Sequence, residues 1–435
     1  MTFCNLKKII GLFFISLQSG IYSDANEWLW HGSFPWTYSD QDKEWSYWST
    51  GNDGRFYKWS TSAGGWEIFN DGEGIWRSLN APDVNETKWQ TWEANPQSYG
   101  GSYTLNKIKN AILNSQYELD LSYQRIEDLS PVGEVLQLRQ LYLQANELSD
   151  LSPLQKLTSL EVLNLNSNEV VDLSPLASLL ELKELHIDDN PISDLSAVGG
   201  LGRLKRLSLS GSQVSTVEHL ENLKLLEYLH LSKNTITSID PIALLSKLRL
   251  LDVGGNQISD LSPLSNFNEL AVLYAEDNNL SSIGPIGSLS NLKEVNLSNN
   301  SISSLAGFSS ISSEDSYLWL ADFSRNQLDS LDGLENCSNL RILALSQNAI
   351  TELTPLEGMN ELSTLLFDFN KVSDLSPIKA HPNLRGVYAN NNQLANDLAV
   401  DEMNQLVEIY LYDNNISEVR KTEIQAALPD VIIEF

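Results

Sequence analysis

The amino-acid sequence predicts an α/β solenoid: a curved horseshoe of stacked repeats, with a parallel sheet on its concave side and short 3₁₀ or α turns on its convex side. Two observations support this. Apolar residues recur every 22 residues over most of the 435-residue chain, and a tryptophan-rich segment without that period precedes them. Repeats of this length bury their apolar faces only against their neighbours, so they stack. The tryptophan-rich segment is expected to form a small β-rich domain.

The charge of the chain limits its partners. It contains 28 Lys and Arg against 57 Asp and Glu, a formal net charge of −29. Nucleic acids and anionic membranes are bound by basic surfaces, so neither is expected as a partner. The two cysteines, Cys4 and Cys337, cannot build a disulfide framework, and neither has the spacing of a metal ligand.

Residues 1–25 have the layout of a secretory signal peptide. Lys7 and Lys8 precede the apolar run Ile9–Leu17, and small residues lead to a cleavage site after Ala25. A buried N-terminal strand or helix is the alternative. The run is too short to cross a bilayer and no apolar stretch of 18 residues follows it, so no membrane span is expected. The predicted location is the cell envelope or the exterior, that is, periplasmic or extracellular.

Residues 26–80 form the tryptophan-rich segment, and ten of the eleven tryptophans lie between Trp28 and Trp92. Residues two apart share one face of a strand, and glycine turns separate the aromatic pairs, so an antiparallel β-meander is predicted. The pairs are Trp28/Trp30, Trp36/Tyr38, Trp45/Tyr47 and Tyr57/Trp59. The segment resembles short tryptophan-rich repeats in secreted proteins of aquatic bacteria. Its rings either form a small core or lie exposed and bind carbohydrate. Proline and glycine in residues 81–102 predict a linker.

The 22-residue period begins at residue 117. Its anchor is the second leucine of Leu141-Tyr142-Leu143, and every step between anchors is 22 residues except one of 26. The anchors lie at 121, 143, 165, 187, 209, 231, 253, 275, 297, 323, 345, 367, 389 and 411. Asparagine follows three residues later in twelve of these fourteen coils, and the exceptions are Gln124 and Ser212. The asparagines are Asn146, Asn168, Asn190, Asn234, Asn256, Asn278, Asn300, Asn326, Asn348, Asn370, Asn392 and Asn414.

One block reads Leu160-x-x-Leu163-x-Leu165-x-x-Asn168, which is the pattern of a leucine-rich repeat. Its length resembles that of bacterial internalin-type repeats, and also that of the repeats in a eukaryotic phosphatase-regulatory subunit. The period gives fourteen coils over residues 117–420, and the resemblance implies a concave sheet that faces a protein partner. The contacting residues differ between families, so no particular partner is implied.

The spacing within a coil has a mechanical interpretation. Leu-x-Leu forms a short strand that pairs in parallel with the next coil, and the asparagine amide bonds backbone groups of neighbouring coils. Asp-Leu-Ser-Pro recurs, for example at 150–153 and 172–175. Serine is a good cap and proline suits the first helical position, so a short convex helix is expected there.

Both ends of the solenoid need caps, because a terminal coil has an open face. Residues 103–116 place Leu105 and Ile108 at helical spacing and are expected to form an N-terminal helical cap. Residues 421–435 are expected to form the C-terminal cap. The 26-residue step adds residues around Ser312–Ser316, and the strands on either side of this insertion are expected to remain paired.

The residues on either side of each anchor are predicted to line the concave face. Lys and Arg are absent from these two columns. Positions from His186 to Asp322 form an acidic patch, and Leu366, Tyr388, Tyr410 and Tyr412 form a tyrosine patch. The predicted contact residues are Tyr142, His186, Asp188, His230, Asp252, Tyr274, Glu276, Asp322, Leu366, Asp368, Tyr388, Tyr410 and Tyr412. Tyrosine is a favoured interface anchor, and acidic residues favour a basic partner.

The sequence lacks the motifs of zinc proteases, serine hydrolases and phosphate-binding loops, so no enzyme, metal or cofactor is predicted. His186 and His230 lie two coils apart, roughly 10 Å, which is too far to share a metal ion. The function predicted is therefore that of a secreted, non-enzymatic recognition protein whose concave face binds another protein. The alternatives are a carbohydrate or surface adhesin that acts through the tryptophan-rich segment, and a phosphatase-regulatory repeat protein.

Overall fold

The structure is a computed structural model. It describes five strands within residues 36–78, and then residues 86–310, 317–396 and 399–435. The predicted signal peptide, the side chains of the predicted meander and Ser312–Ser316 lie outside the described residues. The chain divides into two compact units, Met1–Ala94 with Leu113–Ser115, and Asn95–Ile112 with Gln116–Phe435. Within the described residues, no helix is both long and apolar enough to cross a membrane.

The first unit contains a five-stranded antiparallel sheet in chain order. Its strands are β1 (Trp36–Ser39), β2 (Glu44–Thr50), β3 (Phe56–Ser60), β4 (Gly65–Asn70) and β5 (Ile75–Ser78). The register sets Trp36 opposite Tyr47, and Tyr47 opposite Trp59. The small β-rich domain expected before the solenoid is therefore present.

Residues 86–102, the described part of the expected linker, include regular secondary structure. They contain helix α1 (Glu86–Ala94), in which Trp89 and Trp92 are buried with ring centroids 4.9 Å apart. Of the residues that suggested a linker, Pro96 and Gly100 lie between α1 and the next helix, Gly101 begins that helix, and Pro82 lies outside the described residues. These residues end helices as readily as they form linkers, so composition alone did not distinguish the two cases.

The second unit is the predicted solenoid. Helix α2 (Gly101–Leu113) buries Leu105 and Ile108 and precedes a fifteen-stranded parallel sheet in sequential order. The strands are β6 (Glu118–Asp120), β7 (Gln140–Tyr142), β8 (Val162–Asn164), β9 (Glu184–His186), β10 (Arg206–Ser208), β11 (Tyr228–His230), β12 (Leu250–Asp252), β13 (Val272–Tyr274), β14 (Glu294–Asn296), β15 (Leu320–Asp322), β16 (Ile342–Ala344), β17 (Thr364–Leu366), β18 (Gly386–Tyr388), β19 (Glu408–Tyr410) and β20 (Ile432–Glu434). Helix α3 (Glu418–Ala427) precedes β20.

The core consists of apolar residues that point inward from every coil. In coil after coil the middle residue of the strand and the anchor that follows it are buried, as Leu141 and Leu143 are. Because each three-residue strand alternates its side chains, its first and last residues face outward. The solenoid thus buries these two columns of apolar residues and presents the neighbouring columns on the concave side.

Short 3₁₀ helices return the chain along the convex side, as predicted. They are Val132–Glu134, Ser152–Lys156, Ser174–Ser178, Val198–Gly200, Leu220–Asn222, Asp240–Ile242, Ser262–Asn266, Gly284–Ser288, Ala306–Ser310, Thr354–Leu356, Ser376–Ile378 and Ala399–Glu402. In the Asp-Leu-Ser-Pro turns the expected capping residue was wrong. The N-cap position is Leu151, which makes no side-chain cap bond, and Asp150 accepts a hydrogen bond from the backbone N–H of Ser152, the first residue of the 3₁₀ helix, at 2.8 Å.

The 26-residue step leaves the sheet continuous. Val295 of β14 pairs with Ala321 of β15, and the Leu297 N–H donates to the Asp322 carbonyl at 2.8 Å. The expectation that these strands remain paired is confirmed, because an insertion between strands lengthens one connection and leaves the strand register unchanged.

The asparagines form a hydrogen-bonded ladder between coils. Nδ2 of Asn256 donates to the carbonyls of Leu231, Val253 and Gly254 at 3.0, 2.9 and 3.3 Å. Its Oδ1 accepts from the N–H of Ile236 at 3.0 Å. One amide therefore satisfies backbone groups of two coils that are otherwise buried without water.

Ser212 interrupts this ladder. Its hydroxyl is buried and has no hydrogen-bond partner among the described residues, and the Ile192 N–H bonds the Asn190 carbonyl instead. We expect Ser212→Asn to raise the free energy of unfolding by about 1 kcal/mol, because the longer amide reaches groups that serine cannot. Urea unfolding followed by circular dichroism measures the change. A lower free energy would show that this coil does not accept the ladder geometry.

Two inward positions on the convex side carry unusual residues where other coils place leucine. Cys337 is buried, and burial raises the pKa of its thiol to about 12, so the thiol is not reactive. His381 is 3% exposed, and its Nε2 lies 3.0 Å from the Leu356 carbonyl. A carbonyl only accepts hydrogen bonds, so Nε2 carries the proton. Burial lowers the pKa of His381.

His381 is expected to make folding stability depend on pH. The pKa of His381 is lower in the folded than in the unfolded chain. The contribution of the neutral imidazole to the free energy of unfolding is therefore fully present above the ordinary histidine pKa, about 6.5, and is lost as the pH drops below that value. His381→Leu is expected to lose less stability than the wild type between pH 7.5 and pH 5. Urea unfolding at both pH values provides the measurement. Equal losses in the two proteins would contradict a buried neutral imidazole.

Candidate functional site: the concave face

The concave face has three outward columns, one more than the sequence suggested. The residues before and after each anchor are two of them, and the first residue of each strand forms a third, here called the leading column. It contains Arg206 of β10 and Glu408 of β19, both outward-facing. The pattern Leu-x-x-Leu-x-Leu contained this signal, because the residue two positions before an outward residue in a strand also faces outward.

A rim of alternating charge borders the N-terminal half of the sheet, one residue before the strands. Glu161 pairs with Arg139 at 3.3 Å and also with Lys183. Glu227 pairs with Lys205 at 3.4 Å and with Arg249 at 3.9 Å. These pairs are exposed and contribute little stability, but they neutralise this edge of an otherwise acidic molecule.

The polar residues of the acidic patch are largely engaged with one another. Asp188 accepts hydrogen bonds from the Ser210 N–H at 2.7 Å and from Asn166 Nδ2 at 2.9 Å. Nδ1 of His230 lies 3.6 Å from a carboxylate oxygen of Asp252. His186 lies 3.8 Å from Glu184. Such mutual bonding fixes these side chains and reduces what they can offer a partner.

Three further predicted contact residues are Tyr142 in β7, Tyr274 in β13, and Glu276 two residues after Tyr274. The Tyr142 hydroxyl donates to Gln140 at 2.9 Å, and the Tyr274 hydroxyl donates to Glu294 at 3.1 Å. Glu276 is half-buried; burial, followed by the charges of neighbouring carboxylates including Asp322, raises its pKa. Within the described part of the chain, no group of three or more His, Cys, Asp or Glu side chains is arranged to hold a metal ion.

The tyrosine patch is the most organised part of the face. The Tyr388 and Tyr410 rings stack with centroids 5.0 Å apart and planes 8° apart, as expected for neighbouring coils. Both hydroxyls donate to the Glu408 carboxylate, Tyr388 to one oxygen and Tyr410 to the other. The hydrogen bond to Glu408, followed by burial, raises the pKa of Tyr388 to about 12.

Gly386 makes room for this arrangement. A Cβ at Gly386 would meet Cε2 of Tyr388 and Oε1 of Glu408, each at 3.4 Å. Without a side chain in the leading column of β18, the Tyr388 ring can lean across the sheet and reach Glu408. Gly386 is therefore a positioning residue for the tyrosine pair, and the sequence pattern gave no sign of it.

Tyr412 extends the patch toward β20. It is 43% exposed, and its hydroxyl donates to Glu434 at 2.7 Å. Its N–H donates to Asn390 Oδ1 at 2.8 Å, and Asn390 in turn donates to Asp368 at 2.7 Å. Glu434 and Glu408 therefore both accept hydrogen bonds from tyrosine hydroxyls, and neither was among the predicted contact residues. Glu408 lies in the leading column, and Glu434 lies opposite Tyr410 in β20, beyond the fourteen coils that the repeat pattern defined.

Apolar side chains continue the patch toward the middle of the sheet. Ala344 of β16 pairs with Leu366 of β17, and Leu366 pairs with Tyr388 of β18. In the leading column, Leu320 pairs with Ile342. We call this set, all partly or fully exposed, the C-terminal face. Its residues are Leu320, Ile342, Ala344, Leu366, Tyr388, Tyr410 and Tyr412.

Phe369 adds an exposed ring next to this face. It is 54% exposed and its backbone is left-handed, with φ of 57°. The residue two positions after the anchor takes this conformation in other coils too, for example Tyr123 with φ of 60°. A bulky residue is uncommon in this backbone conformation, and the exposed Phe369 ring does not contribute to the core.

Comparison with known proteins agrees with this geometry. A family model described as two copies of leucine-rich repeats matches residues 136–178, 224–266 and 268–310. The chain has the internalin-like leucine-rich repeat fold. No curated protein matches the sequence of this chain significantly.

Solved structures share the solenoid. An internalin of Listeria monocytogenes is 23% identical, with a TM-score of 0.65 over 78% of this chain and 96% of that one. A leucine-rich repeat protein of Leptospira interrogans is 24% identical, with a TM-score of 0.64 over 76% and 98%. The functional domain of InlJ from Listeria monocytogenes is 20% identical, with a TM-score of 0.61 over 79% and 78%. At these identities the likeness shows the fold of the leucine-rich repeat region.

Proposed function

We propose that this chain is a secreted, non-enzymatic recognition protein that binds another protein through the C-terminal face. The observation that carries the proposal is the run of partly exposed apolar and aromatic side chains across neighbouring strands, from Leu320 to Tyr410. Exposed patches of this kind mark interaction sites, and tyrosine is enriched among the residues that dominate binding energy.

Three further observations support the proposal. Leucine-rich repeat solenoids use their curved concave surface for binding, and this chain has that fold. The signal-like residues 1–25 support export to the exterior or the cell envelope. The acidic composition favours a partner with basic residues.

Two leucine-to-arginine variants test the proposal. Leu366 lies in the C-terminal face, whereas Leu180 is 56% exposed and lies outside the sheet. Proteins from extracellular sources are captured on the immobilised whole chain, and the captured protein is then titrated against both variants. We expect Leu366→Arg to abolish specific binding and Leu180→Arg to leave it unchanged. Retained binding in Leu366→Arg, with thermal unfolding unaltered in both, would refute the proposed face.

A further inference from the structure

Two arginines of this chain show how its sheet holds a guanidinium group. Cζ of Arg206 lies 4.0 Å from the centre of the Tyr228 ring, and its Nε lies 3.8 Å from Glu184. Tyr228 and Glu184 belong to the two strands that flank Arg206 in the sheet. The arginine therefore has an aromatic ring on one side and a carboxylate on the other.

Arg139 repeats the arrangement one position before the strands. Its Cζ lies 5.5 Å from the centre of the Tyr117 ring in the preceding coil. Its Nη1 lies 3.3 Å from Glu161 in the following coil. Cation–π attraction and a charge-assisted hydrogen bond together favour arginine at such a place.

The tyrosine patch has the ring and the carboxylates of these sites but holds no arginine of its own. Among the described residues, Glu408 and Glu434 accept tyrosine hydroxyl hydrogen bonds and take part in no ion pair. Arg385, just before β18, instead donates to backbone carbonyls, including that of Gln405 at 3.1 Å. The carboxylates of this patch are thus left without a cation.

We propose that the site formed by Tyr388, Tyr410, Glu408 and Glu434 receives an arginine side chain of the protein partner; this inference rests on the proposed function. Tyr388 covers one face of the Tyr410 ring, and Glu434 pairs with Tyr410 on the opposite side in the sheet. A guanidinium stacked on the outer face of Tyr410 therefore has a carboxylate within the next coil. Lysine is a poorer occupant, because its ammonium group is not planar and is more strongly hydrated.

The probes are two fluorescein-labelled nonapeptides of glycine and serine, one with three arginines and the other with three lysines in their place. Their equal charge separates guanidinium recognition from general attraction to an acidic protein. Fluorescence anisotropy on the whole chain gives both dissociation constants. We expect the arginine peptide to bind about fivefold more tightly, a preference of the size that cation–π contacts provide.

Variants then assign the preference to this site. In the double variant Tyr388→Leu/Tyr410→Leu, the two peptides should bind about equally. The same is expected of Glu408→Gln, a substitution that preserves the shape of the side chain. Glu352→Gln is the matched control: it removes one charge from an exposed residue outside the sheet, and the preference should persist. Thermal unfolding checks that each variant is folded.

Two results would overturn the inference: equal binding of both peptides by the wild type, or an arginine preference that survives in the site variants. Its failure is distinct from that of the proposed function. If Leu366→Arg abolishes partner binding while the peptides bind equally, the face is correct and the arginine site is wrong. If the preference holds but Leu366→Arg binds its partner normally, the site exists and the proposed function is wrong.

Discussion

Replacing Asn256 with alanine is expected to lower the free energy of unfolding by about 3 kcal/mol. The asparagine amide satisfies three carbonyls and one N–H in two adjacent coils, and it lies near the middle of the solenoid. Alanine leaves the Leu231 and Val253 carbonyls and the Ile236 N–H without these bonds, whereas the Gly254 carbonyl still accepts from the Lys233 N–H at 2.8 Å. Each unsatisfied buried group costs about 1–3 kcal/mol before water and small shifts recover part of the loss. Urea unfolding followed by circular dichroism measures the effect.

Asn414 provides the comparison, because it makes the same kinds of bond in the last coil but is only half-buried. Solvent can replace its bonds, so Asn414→Ala is expected to lose about 1 kcal/mol. If Asn256→Ala costs no more than Asn414→Ala, the ladder is not a principal source of stability between coils.

Replacing Tyr388 and Tyr410 together with alanine is expected to weaken partner binding by about 2 kcal/mol or more, roughly 30-fold. Both rings lie on the concave surface, and truncation removes the stacked pair that a partner would contact. Folding should change little, because neither ring fills the core. Titration calorimetry with the captured partner and thermal unfolding followed by circular dichroism measure the two effects.

Tyr123→Ala is the control for this pair. Tyr123 is 74% exposed in the first coil, at the opposite end of the solenoid, so its removal should leave binding unchanged. If the double variant binds normally but unfolds at a much lower temperature, the tyrosines are structural. The C-terminal face would then lose its main contact residues.

The sequence was sufficient to predict the solenoid because the same constraint acts in every coil. Each anchor must be buried and each strand must pair with the next, so one period places the anchors Leu143, Val253 and Leu411 alike. The pairing of β14 with β15 across the insertion was predictable for the same reason. The proximity of the Tyr388 and Tyr410 rings also followed, since equal positions in adjacent coils are neighbours.

What the sequence did not reveal depends on contacts that carry no period. Glu408 acquires its role because Gly386 leaves space for the Tyr388 ring, and a repeat pattern does not record which side chain is missing. At the start of the Asp-Leu-Ser-Pro turn at 150–153, the aspartate side chain rather than the serine side chain bonds the backbone, because it reaches the N–H two residues later. Helix α1 was missed because residues 81–102 contain no repeated unit.

Photo-cross-linking from Phe369 tests the central claim most directly. A benzoyl-phenylalanine replaces Phe369 in one variant and Tyr123 in the other. Both residues are exposed and left-handed, two residues after the anchors of different coils. The captured partner should form a discrete cross-linked product with the variant labelled at 369, and none with the variant labelled at 123. A product at 123 alone, or equal products at both positions, would contradict binding through the C-terminal face.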